Sequence, residues 1–298
     1  MSEKQPTIAY IMGPGRSGTT ILSVLLENSP GIVSAGEVIH FFQDGYINNN
    51  VCACGETIGQ CDFWGPVVKA LDMSQQGAED VADMLKQLDW HSGLKKAYSH
   101  TQPEQLWQKY QKLNLSLFST IQQTQNCQLI VDSSKYAARA LNLQRTYPDN
   151  VKVICILRSP EGLIHSFIKP NKDEQRPKSL VKIVVYYYLV LWSLFLANKR
   201  LKDDVIVINY EDLIEDPITV LTALEKFLAM DLSVSKAKVT SGAVLDIGHF
   251  VTGNRLRKNK SLTFKQGTAS KVKLTFTQKI ALFFMHIWRS ILGMNHVG

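Results

Sequence analysis

Short, almost unbroken apolar runs alternate along this chain with longer stretches whose apolar positions recur at helical spacing. "TIAYIM" (7–12) is a brief apolar run stopped by Gly-Pro-Gly, which predicts a buried strand. "GTTILSVLLENSP" then predicts a helix closed by Asn-Ser-Pro, and "GIVSAGE" a second strand. Residues 64 to about 124 read as mainly helical. "CQLIVDSS" and "VKVICILR" are clean strands, each followed by a helix, "KYAARALNLQRTYP" and "PEGLIHSFIK". A basic, polar link, "PNKDEQRPK", leads into a long apolar helix from about 179 to 201. "DVIVINYEDL" is a further strand, and "DPITVLTALEKFLAM" a helix with proline where its missing N–H is harmless. From about 240 to 275 the chain is polar, basic and glycine-bearing, so a loop is expected there.

Four or five buried strands that each run into a helix specify a parallel sheet with helices on both faces. The expected fold is therefore α/β, P-loop-like, with a mainly helical insertion or lid over about 64–125. The whole of 1–298 reads as one domain, closed by a basic and apolar helix at about 275–294. Ligands of such sheets bind at the carboxyl ends of the strands. Chemically useful residues collect there: Gly13 to Thr20, Glu37, Ser133 to Lys135, and Arg158.

Composition narrows the partners. The net charge is +7, which favours an anionic ligand, an acidic substrate or a charged surface. No polybasic run interleaved with aromatics occurs, so nucleic acid is not an expected partner. "MSEKQPT" has no apolar core of a secretory signal, and a cytoplasmic protein is expected. "IVVYYYLVLWSLFLA" (183–197) is short for a membrane span and reads as a buried helix. The apolar tail "IALFFMHIWRSILGM" carries Arg289 and reads either as a docked helix or as one lying on a membrane surface.

The segment "GPGRSGTT" (13–20) has the glycine spacing of a nucleotide phosphate loop, but Thr19 stands where the lysine of an ATPase would be. Backbone N–H groups and a helix N-terminus hold any phosphate, whereas that lysine serves the β- and γ-phosphates of a triphosphate. Arg16, inside the loop, supplies a fixed charge instead. This segment resembles the 5′-phosphosulfate loop of the sulfotransferases, which use 3′-phosphoadenosine 5′-phosphosulfate (PAPS). Arg158 and Ser166, eight residues apart in "ICILRSPEGLIHSF", resemble the same family's 3′-phosphate signature. "VCACGETIGQCDFW", "VDSSKYAARALNL", "INYEDLIEDP" and "GHFVTGNRLR" extend the resemblance over roughly 7 to 260, to the broad bacterial-type branch. The resemblance implies PAPS as co-substrate, sulfuryl transfer to a hydroxyl acceptor, and release of 3′-phosphoadenosine 5′-phosphate (PAP). It implies nucleotide contacts from Gly15, Arg16, Ser17, Gly18, Thr19, Thr20, Arg158 and Ser166. Gly253, Asn254, Arg255 and Arg257 are candidate phosphate contacts in a loop over the nucleotide.

An alcohol acceptor needs a base. Glu37 stands at a strand end in a "GE" context similar to that of the catalytic glutamate in tyrosylprotein sulfotransferases. His40 is the rival base. Lys135, in "DSSK", and Arg16 are expected to offset charge on the leaving oxygen. Asp132 stands where nucleotide hydrolases hold magnesium, but a helix-capping or lysine-orienting role is expected, since PAPS chemistry needs no divalent ion. Cys127 and Cys155 read as core residues. Cys52, Cys54 and Cys61 admit three readings: a metal site without an evident fourth ligand, a disulfide or redox-sensitive pair, or buried thiols. Two other functional readings remain open on residues alone. A P-loop kinase would need its lysine elsewhere and a metal carboxylate such as Asp132. A nucleotide-binding or membrane-associated protein without catalysis would rely on the basic tail. No residue distinguishes a sugar, lipid, phenol or peptide acceptor, or an oligomeric state.

Overall fold

The computed structural model describes residues 5–168, 177–252, 261–267 and 274–294. Most of the link "PNKDEQRPK" lies outside them. Five strands form one sheet: β1 (Thr7–Met12), β2 (Ile32–Gly36), β3 (Leu129–Lys135), β4 (Val151–Leu157) and β5 (Val205–Asn209). Their order is β2-β3-β1-β4-β5, and every neighbouring pair is parallel. Successive strand side chains point to opposite faces, so the apolar runs feed two cores. Ile8, Tyr10 and Met12 enter one core, while Ala9 and Ile11 enter the other.

The connections follow the expected strand-to-helix rhythm. On the Ala9 face lie α1 (Thr19–Glu27), α10 (Tyr210–Glu215), α11 (Pro217–Leu228) and α12 (Ser233–Ser241). Asp216 caps α11 by accepting from Thr219 N, with Pro217 in the first turn as anticipated. The other face carries the one-turn α2 (Val38–His40), then α3 (Trp64–Leu71), α4 (Gln75–Asp89), α5 (Leu94–Ser99) and α6 (Glu104–Gln125). It also carries α7 (Ala137–Thr146), α8 (Pro160–Ile168), α9 (Leu180–Leu201) and α13 (Phe276–Ile291). Trp64, Leu88, Tyr110 and Phe118 from the helical stretch share one core with β1, β3 and β4. Cys155 is buried in β4, and Cys127 is buried two residues before β3.

The region expected to be loop contains a small antiparallel sheet, β6 (Val244–Asp246) with β7 (Ser261–Thr263). Each strand is three residues long and their pairing is remote in sequence, so neither leaves a local periodic signal.

A buried ion network ties the helical stretch to the sheet. The Arg139 guanidinium, wholly buried on α7, donates through Nε to Asp132 Oδ2 at 2.7 Å and through Nη1 to Asp89 Oδ2 at 2.6 Å. Asn142 and Tyr110 also donate to the Asp89 carboxylate. Asp132 neither caps a helix nor orients Lys135, as the sequence had suggested. Its Oδ1 accepts from the backbone N–H and hydroxyl of Ser134. The reason is Arg139, in the first turn of α7, whose buried charge requires both carboxylates.

The C-terminal helix is docked. Thr275 and Gln278 form a capping box at its start. Arg289 is 7% exposed; it donates to Asn209 Oδ1 at 2.7 Å and to the Arg158 carbonyl at 3.4 Å, bracing the ends of β4 and β5. Leu282 and Met285 face the core, while Phe276, Ile280, Phe283, Phe284, Ile287 and Ile291 are exposed. Helix α9 is long and apolar enough to cross a membrane. Its Ile183, Tyr187, Leu191 and Leu194 face are buried, and Val181, Val185, Leu189 and Trp192 are exposed.

Removing one carboxylate from the ion network leaves a buried charge uncompensated. Asp89→Ala should therefore lose about 3–5 kcal/mol in urea unfolding, and Asn114→Ala, which removes only a neutral partner of Arg139, clearly less. Equal losses would show that the charge pair is not the source. A second group makes stability depend on pH. Burial pushes the Glu27 carboxyl up from 4.5 to about 8, and its Oε2 has no hydrogen-bond partner among the described residues. A carboxyl raised in the folded state contributes fully below its unfolded value and loses that contribution as pH rises through about 8. Glu27→Gln should gain about 4 kcal/mol relative to the native chain between pH of about 5 and about 9. Parallel unfolding profiles of the two proteins across that range would reject the assignment.

Candidate active site

The strand order decides which of the predicted residues meet. At the carboxyl edge it sets out, in spatial sequence, Glu37 after β2, Lys135 ending β3, the 13–20 loop after β1, Arg158 after β4 and Tyr210 after β5. The loop is central, with an acid–base pair on one side and an arginine with an aromatic ring on the other.

The loop itself is shaped by two left-handed residues, Arg16 (φ 71°) and Gly18 (φ 85°). Gly18 precedes the first turn of α1, and a Cβ there would lie 2.3 Å from the Tyr210 ring, so only glycine fits. Arg16 has no such freedom and holds this conformation at a cost in backbone strain. Its carbonyl accepts from Arg158 Nη1 at 2.6 Å. The N–H of Gly15 donates to the Tyr186 hydroxyl at 2.7 Å, and Gly13 N–H to the Lys135 carbonyl at 3.2 Å. Ser17 and Thr19 are buried, with Thr20 half-buried beside them. The Ser17 hydroxyl is buried without a hydrogen-bond partner among the described residues. A buried hydroxyl beside a helix N-terminus can donate to an anion held by that turn.

On the β4 side, the Arg158 guanidinium lies 4.5 Å over the Tyr210 ring. Its Nε is buried and unpartnered among the described residues. Burial draws its pKa below the ordinary value, opposed by Tyr210 and Glu211. Glu211 is itself taken by Ser159, whose N–H and hydroxyl both donate to it. The Arg158 side chain runs against the first turn of α8, 2.7 Å from where a Gly162 Cβ would stand. Ser166, one turn further, shares that face of the helix, so the predicted Arg158 and Ser166 pair falls on one side. Gly253, Asn254, Arg255 and Arg257 lie outside the described residues.

On the β3 side, the Lys135 ammonium pairs with Glu37 Oε1, and His40 Nε2 stands 3.8 Å from Glu37 Oε2. Lys135, like Arg16, has positive φ (77°), unusual for a strand-end residue that is not glycine. The Ser134 hydroxyl accepts from Ile39 N–H at 3.1 Å, fastening the Glu37 turn to β3. Three of the four candidate catalytic residues, Glu37, Lys135 and His40, thus form one contact group, and Arg16 stands in the adjoining loop.

Other residues at this site left no readable signal in the sequence. Tyr136 stacks on Trp90, with ring centroids 5.7 Å apart, and His91 meets its edge at 4.9 Å. Burial raises the Tyr136 phenol above its usual range, with Glu37 adding to the effect. Trp90 and His91 bring the helical stretch to the edge of the Glu37 group. Lys178 lies over the Phe167 and Tyr186 rings. Burial lowers its pKa, and the Arg16 charge lowers it further. Lys178 also lines an open cavity of about 490 Å³ with Pro177, Ser179 and Lys182. Aromatic stacking partners and lone lysines are too common for spacing to single them out.

Comparisons with known proteins bear on the family and the fold. Solved structures of similar shape include the sulfotransferase domain from the curacin biosynthetic pathway, 18% identical with a TM-score of 0.51 over 96% of this chain and 99% of that one. Another is a sulfotransferase from Alicyclobacillus acidocaldarius, 14% identical with a TM-score of 0.48 over 98% of each chain. A mouse sulfotransferase complexed with PAP is 12% identical with a TM-score of 0.48 over 95% of this chain and 83% of that one. The first of these supports a shared fold. A search of curated proteins finds no match. The family model described as the sulfotransferase family matches residues 9–233, from β1 to the start of α12. With that match covering most of the chain and both phosphate-type motifs inside it, the chain belongs to the sulfotransferase family.

Proposed function

We propose that this protein transfers the sulfuryl group of PAPS to a hydroxyl of its acceptor and releases PAP. The observation that carries the reading is the order of groups along the sheet edge: Arg158, then the lysine-free phosphate loop, then Lys135 with Glu37. A nucleotide phosphorylated at both ends of its ribose matches two cationic anchors flanking one helix N-terminus. The 5′-phosphosulfate lies in Gly15 to Thr20, with the unpartnered Ser17 hydroxyl turned to it. The 3′-phosphate takes the free Nε of Arg158 and the hydroxyl of Ser166, with Gly253, Asn254, Arg255 and Arg257 as further contacts. The sulfate then points towards the Glu37 group.

The acceptor oxygen attacks sulfur in line with the bond to the 5′-phosphate. The new S–O bond forms as the bridging S–O bond breaks, and the electron pair leaves on the PAP phosphate oxygen. Glu37 takes the acceptor proton; its carboxylate is held in place by Lys135 and His40. The Lys135 ammonium, at the end of β3, serves the departing oxygen together with Arg16. Trp90, His91 and Tyr136 wall the acceptor side. No metal takes part in these steps.

In a cytoplasmic setting the chain also rests peripherally on a membrane. The support is the joined apolar face of α9 and α13, where Trp192 and Trp288 lie 6.0 Å apart, with Lys182 and Lys279 exposed in the first turns of the two helices.

Lys135→Ala should lower turnover about 100- to 1000-fold, and Glu37→Gln about 100-fold or more, with PAP affinity by calorimetry largely kept. Arg158→Ala should weaken PAP about 10- to 100-fold. Full PAP affinity in the Arg158 variant, or ATP binding tighter than PAP, would sink the reading. Incubating the protein and labelled PAPS with an extract of the source cells identifies the acceptor. For the membrane face, vesicles containing anionic lipid should co-sediment the native chain and release Phe283→Asp; indifference to that substitution contradicts the contact.

A further inference from the structure

The excursion between β2 and α3 is built on a tight turn that the reaction does not use. Val51 and Thr57 pair as an isolated bridge, Cys52 N–H donates to the Glu56 carbonyl, and Gly55 N–H to the Cys52 carbonyl. This turn places Cys52 and Cys54 side by side. Cys61 follows at the entry of α3, where its sulfur accepts from Trp64 N–H at 3.5 Å. The fourth member comes from far along the chain. His249 is brought in by two anchors: its carbonyl accepts from Trp64 Nε1 at 2.7 Å, and its ring stacks on Phe63. Ala53 N–H also donates to the Phe250 carbonyl at 3.0 Å, which joins the two segments.

The four donor atoms, three Sγ and His249 Nδ1, all lie within 4.8 Å of one another. The Cys54–Cys61 and Cys61–Cys52 sulfur distances are both 3.7 Å, and Nδ1 lies 3.1 Å from Cys61 Sγ and 3.8 Å from Cys52 Sγ. A tetrahedral zinc with metal–sulfur bonds of about 2.3 Å has sulfur–sulfur edges of about 3.8 Å. A disulfide would instead draw two sulfurs to about 2.05 Å and leave the third thiol and the imidazole without a common purpose. Three soft thiolates and one imidazole form a closed set of protein ligands, the donor pattern of structural zinc.

We propose that Cys52, Cys54, Cys61 and His249 hold a structural zinc ion, and that this ion positions the segment bearing His249 over the active edge of the sheet. That segment reaches the edge directly: a Cβ on Gly36 would lie 2.6 Å from the Phe250 ring, one residue before Glu37. It also runs in sequence straight into Gly253. The ion fastens the turn after β2 to a strand-end cover 188 residues away from Cys61. The sequence concealed the site because C-x-C-x6-C lacked its histidine, which only the fold supplies.

The test is metal analysis of the full chain, purified without a metal-affinity column from zinc-containing medium. About one zinc per chain is expected. Cys54→Ser, at an exposed position, and Cys61→Ser should each lose it, and Cys127→Ser should retain it. Exchange for cobalt(II) should give a thiolate-to-cobalt charge-transfer band that Cys54→Ser abolishes. Chelation should lower the melting temperature and open the three cysteines to alkylation. Metal-free native protein that fails to take up zinc or cobalt overturns the proposal. So does a disulfide among these cysteines in a non-reduced digest, or zinc retained by Cys54→Ser and Cys61→Ser. None of these readouts requires sulfuryl transfer.

Discussion

Parallel pairing obliges all five strands to end on the same edge, and the order β2-β3-β1-β4-β5 then decides which strand ends are neighbours. β1, the first strand in the chain, lies in the middle. Its loop is therefore flanked by β3 on one hand and β4 on the other, although these strands come more than a hundred residues later. Lys135 and Arg158 meet the loop from opposite sides for this reason alone. Two hydrogen bonds record the closeness: Gly13 N–H donates to the Lys135 carbonyl, and Arg158 Nη1 to the Arg16 carbonyl. A different strand order with the same sequence motifs would scatter the site.

Holding such an edge together requires compensation for buried charge. Arg139 and Arg289, each largely removed from water, brace opposite halves. Arg139 joins Asp132 and Asp89, and through Asp132 it holds the Ser134 hydroxyl that receives Ile39 N–H behind Glu37. Arg289 joins the ends of β4 and β5 beneath Arg158 and Tyr210. Each is committed to internal partners, whereas two of the buried side-chain atoms without a hydrogen-bond partner among the described residues, Ser17 Oγ and Arg158 Nε, belong to the loop after β1 and the end of β4. Fully partnered buried charges and unpartnered polar atoms thus lie within a few residues of each other.

The helical stretch between β2 and β3 belongs to this scheme as much as the strands do. It carries Asp89 to Arg139, and the residues immediately after Asp89 are Trp90 and His91, which meet Tyr136 beside the Glu37 group. One short stretch of chain therefore anchors a buried charge and sets an aromatic cluster around Tyr136. The C-terminal helix plays a comparable double part, with one side bracing strand ends and a broad apolar side facing outward.

Local sequence determined the five strands of the main sheet, most of the helices and the glycine-bearing loop after β1, and with the family resemblance it named Glu37, Lys135, Arg158 and Ser166 as candidates. Apolar run length, glycine spacing and strand-end position are short-range properties, written in adjacent residues. Tertiary structure decided what depends on distance through space. It assigned Asp132 to Arg139, paired β6 with β7, brought Trp90 and Lys178 to the groove, and supplied His249 to three cysteines that had no visible fourth partner. Each of those contacts joins segments far apart in the chain, or rests on residue types too common to stand out. Contact between remote segments is fixed by strand order and core packing, and no window of neighbouring residues contains it.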